Sequence, residues 1–348
     1  MALFNLDSFD QFVLPEHPTL FIMGDLNPTP PVATDLSGKT ALVTGCNKGL
    51  GFEVARQLIL LKVSRLIITT RDKPKGEAAI AALRADPEVA KLDSHQTPIR
   101  IEWFQLELDD YGSAISFVQE VRRNVPELDI LILSAGMYQL EFEMAKTGHE
   151  MIMQVNCYTN CLILLNLLPL LRATSQKRKS PSRVTVVGSF TMRSTFVKSS
   201  RIPGNQSLIE YLDTKESHQR LLRYPDSKFL MHVFVQQLAT VANPTEVIIN
   251  TVCPGVVMTD ILASGGKGGG LIIHAATALG GDSHGQFIQN GQVDSGATEL
   301  VRSLGPTLAT GFWYAIQDEI STVCAESADT TLETNPPPRR APIEIRSA

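Results

Sequence analysis

Along the chain, short runs of β-branched and aliphatic residues alternate with longer segments whose apolar positions recur every three or four residues. Strands are predicted over residues 40–43, 65–69, 99–106, 128–133, 183–187 and 246–252, and helices over 50–62, 75–85, 111–124 and 151–171. A further helical run follows Tyr224, with Phe229, Leu230, Val233, Phe234, Leu238 and Val241 at helical spacing. Strands and helices that alternate in this way imply an α/β protein, one doubly wound parallel sheet with helices on both faces.

Four stretches break the rhythm. Residues 1–36 read as an N-terminal extension, with prolines at 15, 18, 28, 30 and 31 and scattered aromatics. Residues 193–223, rich in Ser, Arg and Lys, read as an insertion that is functional or disordered. The glycine run from Ser264 to Gly270 reads as a flexible connector, and residues 321–348, with Pro336, Pro337 and Pro338, as a disordered tail. The domain itself is expected over 37–320.

Composition narrows the class. With 348 residues, 43% of them hydrophobic, the chain can bury one large α/β core or two modest ones. A net charge of −5 argues against nucleic acid as a main partner. The opening Met1 to Asp7 lacks a basic signal-peptide start, no apolar run reaches the length of a membrane span, and 161–171, interrupted by Asn166 and Pro169, reads as a core helix. Five cysteines without Cys-x-x-Cys spacing and seven histidines without a ligand cluster argue against a disulfide framework or a metal site. The expectation is a reduced, metal-free, cytoplasmic protein; the oligomeric state is not legible.

The chemistry resides in two motifs. Tyr224-Pro225-Asp226-Ser227-Lys228 puts a phenol and an ammonium four residues apart on one helical face, where the cation can favour the ionised phenol. Such a phenol can give a proton to a ketone or take one from an alcohol. A competing pair, Tyr211 and Lys215, lies in a polar stretch and reads as surface. The second motif is the loop Thr44-Gly45-Cys46-Asn47-Lys48-Gly49-Leu50-Gly51, which follows a strand and opens a helix, so that backbone N–H groups face a pyrophosphate. Together they read as hydride transfer from a dinucleotide.

With Cys253-Pro254-Gly255 also in register, the chain resembles the short-chain dehydrogenase/reductase family over roughly 38–305, most of all the retinol dehydrogenase and protochlorophyllide reductase branch. The resemblance implies a Rossmann-type sheet, with Tyr224, Lys228, Ser189 (closing Val184-Thr185-Val186-Val187-Gly188) and Asn156 as the catalytic set. Asn156 would join a water-linked relay to Lys228. The glycine loop, the Pro254-Gly255 turn with Val257 behind it, and Thr259, at the carboxamide, would lie along the cofactor. The family's Asn-Ala-Gly appears as Ser134-Ala135-Gly136, and its Asp-Leu as Glu107-Leu108, which gives Glu107 a longer arm toward the adenine. The helical lid the family carries after the Thr259 position is short here.

The second strand ends Thr69-Thr70-Arg71-Asp72, with no carboxylate at the strand end itself. Arg71 and Lys48 suit a 2′-phosphate, so NADP is the expected cofactor. The implied reaction moves a hydride between NADP and a ketone, aldehyde or secondary alcohol. The prefix and insertion resemble fungal secondary-metabolism members, and the apolar residues at 257, 258, 261 and 262 suggest a hydrophobic small molecule as partner. The alternative is an NADPH-binding regulatory protein with little turnover. The insertion, tied at both ends to site residues, is expected to border the substrate entrance with Phe196, Ile202 and Leu208.

Overall fold

The computed structural model describes residues 34–93, 99–255, 265–304 and 306–327. Among the described residues eight strands form one sheet: β1 (Thr40–Val43), β2 (Arg65–Thr70), β3 (Arg100–Gln105), β4 (Ile130–Leu133), β5 (Ser182–Val187), β6 (Val247–Val252), β7 (Phe287–Gln289) and β8 (Gln292–Val293). Their order is β3-β2-β1-β4-β5-β6-β7-β8, parallel throughout except for the β7–β8 pair. That edge hairpin turns on Asn290 and Gly291, both at positive φ, as a tight two-residue turn requires. The chain order reverses beside β1, which pairs with β2 on one side and β4 on the other, and this reversal opens a crevice at the carboxyl ends of the strands.

The helices are α1 (Gly49–Leu60), α2 (Lys73–Ala85), α3 (Pro87–Asp93), α4 (Tyr111–Asn124), α5 (Met151–Met153), α6 (Thr159–Arg178), α7 (Leu208–Leu212), α8 (Arg223–Val241), α9 (Gly265–Thr277), α10 (Ser295–Ser303) and α11 (Pro306–Glu326). One face of the sheet packs on α1, α2 and α9, through Val54, Leu58, Ala79, Leu83, Ile272 and Ala276. The other carries α4, α6, α8 and α11, through Val118, Leu164, Phe234 and Phe312. The strands are apolar on both sides because both faces are covered.

Three boundaries differ from the sequence reading. Leu36 is buried and its N–H donates to the Leu61 carbonyl, so the fold begins before residue 37. At the other end α11 continues to Glu326 with Cys324 buried, which corrects a tail placed at 321; Ile316, Ile320 and Cys324 hold that last turn in the core. The glycine run is helical from Gly265, not a flexible connector. A Cβ at Gly268 would meet Leu50 Cδ2 at 2.8 Å and the Pro254 oxygen at 3.1 Å, and one at Gly269 would meet Glu53 Cγ at 2.7 Å. These glycines let α9 approach α1 closely, a packing constraint that outweighs their low helix propensity.

The helical run Met151–Arg178 is long and apolar enough to cross a membrane, but 94% of its most apolar window is buried inside the protein. It lies in the core of one face.

Candidate active site

A cleft of about 420 Å³ opens at the carboxyl ends of β4, β5 and β6. Leu50, Ser134, Gly136, Met137, Tyr138, Val187, Gly188, Ser189, Phe190, Tyr224, Lys228, Pro254 and Gly255 line it. The two motifs, far apart in the chain, therefore meet there.

The glycine loop earns its shape from sterics. Gly45 has φ of 76°, and a Cβ on it would lie 2.9 Å from the Ala135 Cα and Cβ; a Cβ on Gly51 would lie 2.3 Å from the Gly45 oxygen. Glycine alone lets β1 turn this tightly into α1 beside the β4 loop. Thr44 closes the same corner, its Oγ1 accepting from the N–H of Ser134 at 3.0 Å and of Ala135 at 3.1 Å. At the start of α1, Lys48 makes no side-chain cap and the first turn holds no acidic residue, so its N–H groups keep no side-chain acceptor of their own. Asn47 and Lys48 are exposed. This donor set, at the helix end favourable to anions, fits a dinucleotide pyrophosphate.

At the end of β2, Thr70 Oγ1 accepts from Trp103 Nε1 at 2.6 Å and donates to the Asp72 carbonyl at 2.7 Å. Asp72 caps α2 by accepting from the Lys75 N–H at 2.9 Å and pairs with the Lys75 ammonium. Its carboxylate is thereby committed to the helix start. Arg71 is largely exposed, with Nε 3.7 Å from Glu107 Oε1. Burial, and then Asp109, push the Glu107 carboxyl above its usual range, while Arg71 acts the other way.

Tyr224 and Lys228 lie in the first turns of α8. Lys228 Nζ is 5.6 Å from the Tyr224 ring centroid and donates to the Val187 carbonyl at 2.9 Å. Burial lowers the Lys228 ammonium to about 8. The phenol departs from the sequence expectation: burial pushes it up, and the effect drawing it back is the neighbouring Ser189 hydroxyl rather than the lysine charge. Ser189 Oγ also accepts from Thr191 Oγ1 at 2.9 Å, so it is more than a strand-end serine bonded to backbone.

Asn156 sits in one π-helical turn, Gln154–Tyr158, between α5 and α6. Such a turn frees backbone acceptors, and Asn160 Nδ2 satisfies one by donating to the Val155 carbonyl at 2.9 Å. Asn156 Oδ1 accepts from Met137 N–H at 2.8 Å, and its Nδ2 donates to the Met137 carbonyl at 2.9 Å and to Ser227 Oγ at 3.0 Å. Its direct partners are thus the β4 loop and α8, not Lys228, although a Cβ on Gly136 would lie 3.0 Å from Asn156 Oδ1 and 3.4 Å from Lys228 Nζ. Gly136 leaves the room in which the two approach. Val257 and Thr259 lie outside the described residues.

The insertion was misread in part. Leu208, Ile209 and Leu212 are buried against the core that includes Phe312 and Ile316 of α11, and Tyr211 is partly buried there, outside the cleft lining. Phe196 lies under the Arg201 guanidinium, 3.1 Å from carbon to ring centroid, and neither it nor Ile202 nor Leu208 lines the cleft. Sequence reasoning also passed over Asp226 inside the tyrosine motif. Buried, it accepts from Thr195 Oγ1 at 2.8 Å and Phe196 N–H at 2.6 Å, tying α8 to the segment after Ser189.

Fold and cleft define an α/β protein of the Rossmann type with a Ser, Tyr and Lys group at the carboxyl ends of the strands. A family model for short chain dehydrogenases matches residues 39–200. The chain is 41% identical over 77% of its length to the short chain dehydrogenase sor7 of Hypocrea jecorina, covering 80% of it. With the short-chain dehydrogenase/reductase tropG of Talaromyces stipitatus it shares 32% identity over 86% of this chain and 96% of that one. The chain belongs to the short-chain dehydrogenase/reductase family of oxidoreductases. Among solved structures, the NADH-dependent reductase A1-R′ complexed with NAD superposes with a TM-score of 0.55 at 18% identity, covering 76% of this chain and 98% of that one. The RhlG/NADP complex of Pseudomonas aeruginosa gives 0.54 at 20%, covering 73% and 95%. At these identities both attest the fold.

Proposed function

We propose that the protein is an NADP-dependent oxidoreductase that moves a hydride between the nicotinamide and a ketone, aldehyde or secondary alcohol, on a hydrophobic small molecule of fungal secondary metabolism. The observation that carries this reading is the convergence of Ser189, Tyr224 and Lys228 on one cleft with the glycine loop's Leu50. In the direction of reduction, Tyr224 gives its phenolic proton to the carbonyl oxygen while Ser189 donates a hydrogen bond that orients that oxygen. Lys228 supplies positive charge beside the phenol and, with Asn156 holding the β4 loop against α8, keeps the group in place. NADPH, when bound, supplies the hydride from its nicotinamide. The α1 start and the Pro254-Gly255 turn would hold it, with Ser134, Ala135 and Gly136 alongside and Glu107 toward the adenine.

NADP over NAD is supported by the strand-end chemistry. Asp72 is committed to capping α2, Arg71, exposed, stands next to it, and Lys48 is exposed in the glycine loop. The apolar lining from Leu50, Met137, Val187 and Phe190 supports a hydrophobic substrate, and the fungal origin of the two relatives agrees with the setting. Five buried free thiols support a cytoplasmic location. The test is consumption of NADPH against a broad panel of ketones and aldehydes, for the wild type and for Tyr224→Phe. Turnover that falls at least about a hundredfold in the variant with NADPH affinity retained is the expected result. Reduction of no carbonyl in the panel, or a variant as active as wild type, overturns it.

A further inference from the structure

The cleft wall facing the substrate has an aromatic residue that neither motif contains. Tyr138, two residues beyond Gly136, is 51% exposed yet packs against the tyrosine of the site: its ring centroid lies 5.5 Å from that of Tyr224, with the planes at 78°. Edge-to-face contact of this kind is a favourable aromatic geometry. A large aromatic half open to solvent at the rim of a cleft is the type of surface that binds a ligand. Met137 and Phe190 line the same cleft.

The insertion holds this wall in place without entering the cleft. His218 Nε2 bonds the Leu140 carbonyl at 3.0 Å, the Phe142 ring meets the His218 ring edge-on at 5.5 Å, and Arg220 pairs with Glu141 at 2.5 Å. Three successive residues after Tyr138 and Gln139 are thus braced by residues 218–220. An exposed loop tip would otherwise be free to move, and an aromatic that moves gives little binding energy.

Resting on the reading of the cleft as a carbonyl reductase site, the geometry points to Tyr138 as a specificity-determining residue that stacks on the substrate and selects flat, π-conjugated carbonyl compounds, aryl or polyenyl ketones, over saturated ones of similar size. Tyr224 contacts one part of the Tyr138 ring, and a planar substrate whose carbonyl reaches the Tyr224 hydroxyl brings its conjugated plane alongside the rest. A saturated, puckered substrate fills the same volume without that stacking. The hydroxyl of Tyr138 is not required for the effect, so phenylalanine should serve as well.

The experiment uses the full-length protein with NADPH and two probes, 2-acetylnaphthalene and its saturated decalin analogue, with wild type, Tyr138→Phe and Tyr138→Leu. The ratio of kcat/KM for the aryl ketone to that for the saturated one is expected to favour the aryl ketone in wild type and in Tyr138→Phe, and to fall about tenfold in Tyr138→Leu. A ratio unchanged in Tyr138→Leu, or a wild type that prefers the saturated ketone, overturns the proposal. Saturation-transfer NMR of 2-acetylnaphthalene on the NADP-loaded protein reads the same contact without turnover. If neither ketone is reduced, the reductase reading fails on these probes while the NMR signal still decides: loss in Tyr138→Leu with retention in Tyr138→Phe supports Tyr138 as the stacking wall, and equal signals in all three proteins overturn it.

Discussion

Arg223 Nε lies 3.9 Å from Glu150 Oε2, and both side chains are wholly buried. Arg223 precedes Tyr224 in α8, and Glu150 caps α5 by accepting from the Met153 N–H at 2.9 Å, just before the turn that carries Asn156. Arg223 Nη2 also donates to Ser217 Oγ at 2.8 Å. Removing one member takes the nearest opposite charge from a wholly buried ion and leaves only His218 beside Glu150 or Asp226 and Ser217 beside Arg223, so Glu150→Ala or Arg223→Ala should destabilise by about 3–5 kcal/mol in urea unfolding. The double variant Glu150→Leu with Arg223→Met should be more stable than either single one. A single variant within experimental error of wild type would show the pair to be solvated.

His149 gives a pH dependence. Its Nδ1 lies 2.7 Å from Asp213 Oδ2 and its Nε2 2.9 Å from Glu319 Oε1. Burial alone would depress the imidazolium, but the two carboxylates outweigh it and raise it from 6.5 to about 9. A folded value above the unfolded one means the contribution is complete below the unfolded value and is lost as pH rises through about 9. The stability difference between wild type and His149→Gln, on the order of 3 kcal/mol at most near pH 6, should therefore shrink toward pH 10. Taking the difference cancels the titration of Lys228, present in both proteins. A constant difference would remove His149 as the titrating group.

Gly268 and Gly266 make a matched pair. Gly268→Ala puts a methyl against the Pro254 backbone oxygen and Leu50, pushing α9 away from α1. It should lower the melting temperature and weaken NADPH binding, since Leu50 and Pro254 line the cleft. Gly266→Ala meets nothing within 4 Å and should leave binding unchanged, with a gain of up to about 1 kcal/mol from helix propensity. Equal effects of the two, by thermal melting and calorimetric titration, would contradict the packing argument.

In the NADP reading proposed above, cofactor choice rests on Arg71 and Lys48. Replacing both by alanine should weaken NADPH far more than NADH, because each charge-assisted hydrogen bond to a phosphate is worth about 1.5–3 kcal/mol. Isothermal titration showing equal losses for the two cofactors would exclude these residues from the 2′-phosphate.

Much of the sheet was readable because strands buried on both faces are continuous apolar runs, as in Ile67-Ile68 or Val247-Ile248-Ile249. The turn of the glycine loop and the helix that carries Tyr224 and Lys228 were readable because they depend on local spacing. What was lost depends on partners distant in sequence. The run after Ser264 looks like a linker until Leu50 and Pro254 are seen against Gly268. The segment 193–223 looks polar because its apolar residues Leu208, Ile209 and Leu212 are few, yet they are buried. Replacing residues 199–218 by a Gly/Ser linker would consequently uncover the core rather than only reshape the entrance. The Asn290-Gly291 hairpin was a local signal and could have been found.

The contacts of Glu319 have a consequence for how the protein is made. His149 and its partner on α11 are 170 positions apart in the chain, and Leu208, Ile209 and Leu212 find Phe312 and Ile316 only when that helix is present. A nascent chain that has already released the whole sheet from the ribosome still exposes the apolar side of α7. The start of α8, with Tyr224, is tied to the same segment through Arg223 and Ser217 and through Asp226 and Thr195, so the surroundings of the cleft are complete only after nearly all of the domain has been synthesised.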